Sequence, residues 1–113
     1  LGFKVLLTTD HGTINVGHPS AVVGDRETSL NLRYKTGRSL SYETKNVLEC
    51  KDPHTFQLPS VSLNSPFIFA QGDYYFVYKN NYNHFANFFA NSFQHGGISL
   101  EEVLIPYVEL SPK

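Results

Sequence analysis

Two histidines are each followed directly by glycine, and both lie where metal ligands are commonly found. Asp10, His11 and Gly12 follow the apolar run FKVLLTT (residues 3–9), and His95 precedes a pair of glycines. A carboxylate and an imidazole at the end of a strand are ligands that Zn²⁺ takes in catalytic sites. The alternative is an ordinary turn after the strand and an ordinary loop histidine. Because the pattern occurs twice in one small chain, metal binding is harder to dismiss than it would be for a single histidine, and both interpretations stay open.

The other three histidines carry weaker signals. His18 precedes a proline, His54 lies in a capped turn and His84 lies in an aromatic segment, so we treat all three as surface or packing residues. Ser99 and Glu102 have the spacing of a capping box, which gives Glu102 a sufficient structural role.

Three basic residues in GDRETSLNLRYK (residues 24–35) could contact a phosphate group. Arg26, Arg33 and Lys35 are the candidates, because guanidinium groups match phosphate oxygens in geometry. The alternative is a solvated loop and strand face with internally paired charges, and spacing alone favours that alternative. The sequence contains no G-x-S-x-G elbow, phosphate-binding P-loop or Cys–His pair that would supply a nucleophile.

Length and composition set further bounds. The chain has 113 residues, enough for one domain, and 9 Lys+Arg balance 10 Asp+Glu. This balance argues against nonspecific duplex binding through charge alone, and it leaves room for a local basic patch. The single cysteine, Cys50, is predicted to be a small, partly buried apolar residue in a reducing compartment. No signal peptide and no apolar run of roughly 18 residues is present, so we expect a cytoplasmic protein without membrane insertion. The absence of any methionine indicates a piece of a longer protein.

Strands and short helices must position these residues. FKVLLTT lacks alternation, which predicts a buried and parallel strand. SLNLRYKTG (29–37) alternates like a half-exposed strand, and residues 65–80 predict a β-hairpin around QGD. Further elements are predicted as strands at 13–16 and 20–24, a capped turn at 52–58, a helix at 81–93 and a final strand at 103–110.

LLTTDHGTINV, VVGDRETSLNLRYKTG and FQHGGISLEEVLIPYVEL occur in this order. Together they resemble the C-terminal part of a PglZ domain of the alkaline phosphatase superfamily, most closely that of PorX-like two-component response regulators of Bacteroidetes. The resemblance implies an α/β fold with a partial alkaline-phosphatase-like sheet, mixed and mostly parallel, with flanking helices and a β-hairpin. Residues 1–113 would form the C-terminal fragment of one PglZ domain. The rest of that domain and any receiver domain would lie upstream.

The resemblance also implies a centre of two divalent ions, usually zinc, at the carboxyl ends of the strands. Asp10 and His11 would bind the ion nearer the nucleophile, and His95 would bind the other. The family's threonine or serine nucleophile belongs to an upstream motif, so Thr8 and Thr9 do not match it. Since each ion needs about three protein ligands, we expect the isolated chain to bind metal weakly and to catalyse nothing.

For the parent protein, the resemblance implies a metal-dependent phosphodiesterase acting on nucleotide or oligonucleotide substrates. It also implies a response regulator with signalling or secretion-system partners in type IX secretion. Arg26, Arg33 and Lys35 would then contact the phosphate-bearing substrate. The alternatives are a non-catalytic interaction module with a phosphatase-like fold, or a sulfatase or phosphosugar mutase. Unpaired strand edges further predict a homo-oligomer.

Overall fold

The structure, a computed structural model, describes residues 2–59 and 65–113. Strands dominate this part of the chain, with two short α-helices and one 3₁₀ turn at Pro53–Phe56. The strands are β1 (Val5–Thr8), β2 (Ile14–Val16), β3 (His18–Val23), β4 (Tyr34–Thr36), β5 (Ser41–Tyr42), β6 (Val47–Cys50), β7 (Phe67–Ala70), β8 (Tyr74–Tyr78), β9 (Ser92–Gln94) and β10 (Tyr107–Leu110). The helices are α1 (Tyr82–Phe89) and α2 (Leu100–Val103).

The strands form four small sheets. Two are two-stranded ribbons, β1–β10 and β2–β9, and two have three strands in the orders β5–β3–β8 and β4–β7–β6. Only β3 and β8 pair in parallel among the described strands; the other five pairings are antiparallel. The mixed character of the fold agrees with the prediction, but a mostly parallel sheet with flanking helices is not confirmed.

The predicted β-hairpin at residues 65–80 is wrong. β7 and β8 are joined by a tight turn in which Tyr74 N–H donates to the Gln71 carbonyl at 3.2 Å. However, β7 pairs with β4 and β6, whereas β8 pairs with β3. All four residues of β7 and the three central residues of β8 are buried. Strands covered on both faces take neighbours from several parts of the chain, so adjacency in sequence does not determine their pairing.

Among the described residues, three apolar clusters form the core. One joins β2 and β8 to α1, a second joins β3, β7 and β8, and a third holds Cys50 against Phe67 and Phe69. The predicted helix is confirmed over Tyr82–Phe89, where Ala86 is buried and its carbonyl accepts a hydrogen bond from the Tyr75 hydroxyl. Cys50 was predicted to be partly buried and is more completely buried than that, with 3% of its surface exposed.

The strand expected to be buried and parallel, β1, is exposed and antiparallel. All four of its residues are exposed, as are all four of β10, its partner. Within the described residues nothing covers either face of this ribbon, so its apolar side chains remain at the surface. The radius of gyration is 17.2 Å, against about 13 Å for a compact domain of this length. Part of the chain therefore lies outside the compact core.

The prediction of a half-exposed strand at residues 29–37 is also only partly correct. Its strand is limited to Tyr34–Thr36, and the alternation has the opposite sense from a half-buried apolar face. Leu30 is 85% exposed, whereas Arg33 and Lys35 are almost completely buried. Alternation indicates which residues share a face but not which face becomes covered.

The predicted turn at residues 52–58 is confirmed, with the Asp52 side chain accepting a hydrogen bond from His54 N–H. No helix in the described ranges has the length and apolar character that crossing a bilayer requires.

Candidate metal centre

One ribbon, β2–β9, brings the glycine-flanked histidines together. β2 pairs with β9 so that Ile14 lies opposite Gln94. The segment before β2 and the segment after β9 therefore leave the ribbon at the same end. The first segment carries His11 and the second carries His95. Both histidines were predicted to lie next to strand ends, and they do. However, the strands are antiparallel rather than part of a parallel sheet.

The imidazoles of His11 and His95 stack face to face. Their ring centroids lie 3.7 Å apart and their planes differ by 12°. The His11 side chain is half-buried, whereas His95 is exposed. Two residues separated by more than eighty positions thus share one small volume at the surface.

The hydrogen bonding of His11 directs its free nitrogen toward a carboxylate. Nδ1 lies 2.8 Å from the Gly12 carbonyl oxygen. A carbonyl can only accept, so Nδ1 carries the proton and Nε2 of the neutral ring has a lone pair. Nε2 lies 3.6 Å from Oδ1 of Asp10, a separation too long for a direct hydrogen bond.

This donor set fits a divalent ion. Zinc bonds of about 2.0–2.2 Å in tetrahedral geometry separate adjacent ligand atoms by about 3.3 Å, close to the Asp10–His11 distance. A metal-binding histidine also typically donates its other ring N–H to a carbonyl or carboxylate, as His11 does to Gly12. Across residues 2–59 and 65–113, no three His, Cys, Asp or Glu side chains form a group that could hold an ion. These residues are therefore at most part of a ligand set.

Close packing fixes the loop that carries His11. Gly12 N–H donates to the Glu102 carbonyl at 2.8 Å. A Cβ on Gly12 would lie 1.9 Å from the Glu101 carbonyl oxygen. Only glycine allows this approach of the loop to the backbone of α2.

Asn31 holds the loop that carries His95. Its Nδ2 donates to the His95 carbonyl at 3.2 Å, and its Oδ1 accepts from Arg33 N–H at 2.7 Å. Gly96 has φ +100°, which L side chains rarely adopt, and a Cβ there would lie 2.6 Å from Asn31 Nδ2. Sequence reasoning did not identify Asn31, because its partner is 64 positions away.

The capping box predicted for α2 is confirmed. The Ser99 and Glu102 side chains bond reciprocally to each other's backbone N–H groups. Sequence reasoning missed the second partner of Glu102, which is Arg33. Arg33 Nε lies 2.9 Å from Glu102 Oε1 and Nη2 lies 3.0 Å from Oε2.

The basic residues predicted to contact phosphate have different environments. Arg33 is completely buried in its pair with Glu102. Lys35 Nζ donates to the Ser29 carbonyl at 3.0 Å and lies 4.4 Å from the centre of the Tyr78 ring. Burial lowers the pKa of Lys35 to about 8. Their burial argues against direct substrate contact by either residue.

Arg26 differs, because it is exposed and lines an open cavity of about 310 Å³ that also includes Lys79. It is the member of the predicted set that solvent and a dissolved anion can reach.

The remaining histidines lie at the surface. His18 Nδ1 contacts the Asp73 carboxylate at 2.8 Å and its ring stacks on Tyr74. His54 is exposed after the Asp52 cap, and His84 is exposed on α1. Their treatment as surface residues agrees with these positions.

Comparison with known families identifies the class of domain. Residues 1–110 match an alkaline phosphatase-like family, described as the BREX system PglZ alkaline phosphatase-like domain. The chain belongs to the PglZ family, as its sequence blocks predicted. Membership implies a phosphoesterase-like fold, and alkaline phosphatase-like domains usually use metal ions. No curated protein matches the chain significantly.

Proposed function

We propose that this chain supplies part of the two-ion centre of a metal-dependent phosphoesterase. Asp10 and His11 would bind one ion, and His95 would bind its neighbour. The observation that carries this proposal is the 3.7 Å stack of His11 on His95. Ions of two-metal sites lie about 3.5–4 Å apart, so two parallel imidazoles at this spacing can each serve one ion.

The chain's own residues prepare the ligands. Gly12 holds the proton of His11 on Nδ1, which leaves Nε2 free toward Asp10. The Asp10 side chain is 88% exposed, so an ion and a substrate can both reach it. Two bound zinc ions would stabilise the charge that develops on a phosphoryl group during in-line displacement. On this proposal the nucleophile and the remaining ligands belong to other parts of the protein, and residues 1–113 alone are inactive.

The substrate class and biological setting are also proposals. A phosphodiester in a nucleotide or oligonucleotide is the proposed substrate, and Arg26 is its accessible candidate contact. Arg33 and Lys35 would act indirectly, through packing. The parent would be a PorX-like response regulator that acts in the cytoplasm on type IX secretion, together with signalling or secretion-system proteins. The motif resemblance supports this setting.

A hydrolysis assay tests the proposal. The full-length protein should release nitrophenol from a chromogenic phosphodiester in a zinc-dependent manner. His11→Ala should reduce the rate by at least about 10²-fold, because removing a ligand displaces the reacting groups. His84→Ala removes an exposed histidine from α1 and should retain the parent rate. Equal rates for the two variants would refute the assignment of His11.

The exposed ribbon β1–β10 favours a second candidate, a non-catalytic interaction module. Leu6 and Leu7 are both more than half exposed, on opposite faces of the ribbon. A two-stranded ribbon with apolar faces invites association with another chain. We therefore propose that residues 1–113 form a homo-oligomer. Sedimentation should show a species larger than a monomer that Leu6→Glu dissociates, whereas Phe56→Glu, at an exposed site in the 3₁₀ turn, does not. A monodisperse monomer would contradict self-association.

A further inference from the structure

Glu102 carries a carboxylate whose two oxygens are both fully engaged. Oε1 accepts hydrogen bonds from Gly97 N–H and Arg33 Nε, each at 2.9 Å. Oε2 accepts from Arg33 Nη2 at 3.0 Å, Ser99 N–H at 3.1 Å and the Ser99 hydroxyl at 2.7 Å. A capping box requires only the contacts with Ser99. The bonds to Gly97 and Arg33 therefore exceed what helix capping demands.

The backbone of Glu102 binds the other histidine loop. Its carbonyl accepts the Gly12 N–H at 2.8 Å, and the Gly12 carbonyl accepts the His11 Nδ1 proton. One residue is thus connected to both loops. Its carbonyl reaches His11 through one peptide unit, and its side chain reaches Gly97, two residues after His95.

Arg33 strengthens the same connection. Its guanidinium pairs with Glu102 and also donates to the Tyr74 carbonyl. Its backbone N–H donates to Asn31, whose side chain binds the His95 carbonyl. The His95 loop is therefore held on one side by Glu102 and on the other by Asn31, and Arg33 bonds to both.

The pair is charged despite its burial. Burial alone would raise the pKa of Glu102, but the hydrogen bonds from Arg33 and Ser99 outweigh it and hold the pKa below its ordinary value. Charged groups form stronger hydrogen bonds than neutral ones. The ionised carboxylate therefore fixes the Gly97 N–H more firmly than a neutral side chain of the same shape would.

We propose that Glu102, paired with Arg33, is the positioning residue that sets the spacing of His11 and His95, without itself touching ion or substrate. The inference deepens the proposed function and rests on it only where zinc is concerned, because the ring arrangement is measurable without metal.

The test compares Glu102→Gln with Glu101→Gln in the natural full-length protein. Both variants remove one negative charge from α2, but Glu101 is exposed. ¹⁵N spectra of the imidazoles report the His11 tautomer and the environment of the His11 and His95 rings. The signals are assigned with the variants His11→Gln and His95→Gln. Zinc affinity is measured by competition with a chelator. Glu102→Gln should shift the ¹⁵N resonances of His95, whose loop the Glu102 side chain holds at Gly97, and should weaken zinc binding by about 10- to 100-fold. Glu101→Gln should change neither. Equal spectra and affinities for the two variants would overturn the proposal.

A double variant covers the case in which Glu102→Gln does not fold. Arg33→Met with Glu102→Leu removes both buried charges, and such replacements often preserve stability. It also removes the acceptor for Gly97 N–H. We expect this variant to melt like the parent yet to show altered imidazole spectra. A folded double variant with parental spectra and zinc affinity would reduce Glu102 to a purely structural role.

Failure of the proposed function gives a different result. If the parent itself binds no zinc and cleaves no phosphodiester, the phosphoesterase assignment fails. The imidazole spectra of the three variants still decide whether Glu102 positions the rings.

Discussion

Replacing Gly12 with alanine should separate His11 from His95. The added Cβ would lie 1.9 Å from the Glu101 carbonyl oxygen and 2.9 Å from that of Leu104. Both neighbours are backbone atoms, so no side chain can rotate away. The loop and α2 must move apart by about 1 Å even to reach the shortest tolerable contact. That movement also stretches the 2.8 Å hydrogen bond from Gly12 N–H to the Glu102 carbonyl.

The expected cost of Gly12→Ala appears in both stability and function. Overpacking typically costs about 1–3 kcal/mol of unfolding free energy. A displacement of about 1 Å at a reacting centre can reduce turnover by about 10²-fold. The assay is zinc-dependent phosphodiester hydrolysis by the full-length protein, with thermal unfolding in parallel. Gly2→Ala is the control, because a Cβ there meets no atom of residues 2–59 or 65–113 within 4 Å. Parental turnover and stability in Gly12→Ala would refute the claim that loop packing sets the histidine geometry.

Three further predictions concern the surroundings of the site. Burial lowers the pKa of Lys35 from 10.5 to about 8, so the unfolded chain binds more protons between those values and stability should rise with pH across that window. The unfolding free energy should rise by at most about 3 kcal/mol. Urea denaturation at a series of pH values should show this rise for the parent and not for Lys35→Met. Identical pH dependence of the two proteins would contradict the prediction. Gly96→Ala forces a side chain into φ +100° against Asn31, so zinc affinity should fall by about 10-fold or more. An unchanged zinc affinity in calorimetric titration would argue against a role for Asn31 in holding the His95 loop. Cys50 is buried, so its reaction with a thiol reagent should follow the urea unfolding transition; rapid labelling of the native protein would contradict its burial.

Local patterns predicted several features correctly. The Asp52 cap, the Ser99–Glu102 capping box and helix α1 all depend on residues within a few positions of one another. The family resemblance assigned His11 and His95 to one two-ion centre; their rings do stack on each other, and their metal binding stays a prediction. The glycines that follow His11 and His95 indicated where the backbone turns tightly, because a glycine next to a functional side chain often marks a close backbone approach.

Long-range partners could not be predicted from spacing. Arg33 and Glu102 are 69 positions apart, and either could have been a solvated surface charge. The alternation around Leu30 gave the correct period but the wrong buried face, since an ion pair and a cation–π contact stabilise the polar side. The pairing of β7 and β8 with separate sheets likewise depends on core packing that no local turn signal contains.

On the function proposed above, Asp10, His11 and His95 bind neighbouring metal ions. Crystals of the full-length protein grown with zinc should be measured on both sides of the zinc absorption edge. We predict two anomalous peaks about 4 Å apart, one beside Asp10 and His11 Nε2 and one beside His95. Loss of only the second peak in His95→Ala would confirm the division of ligands. Zinc bound elsewhere, with no peak at either histidine, would contradict the assignment of these ligands.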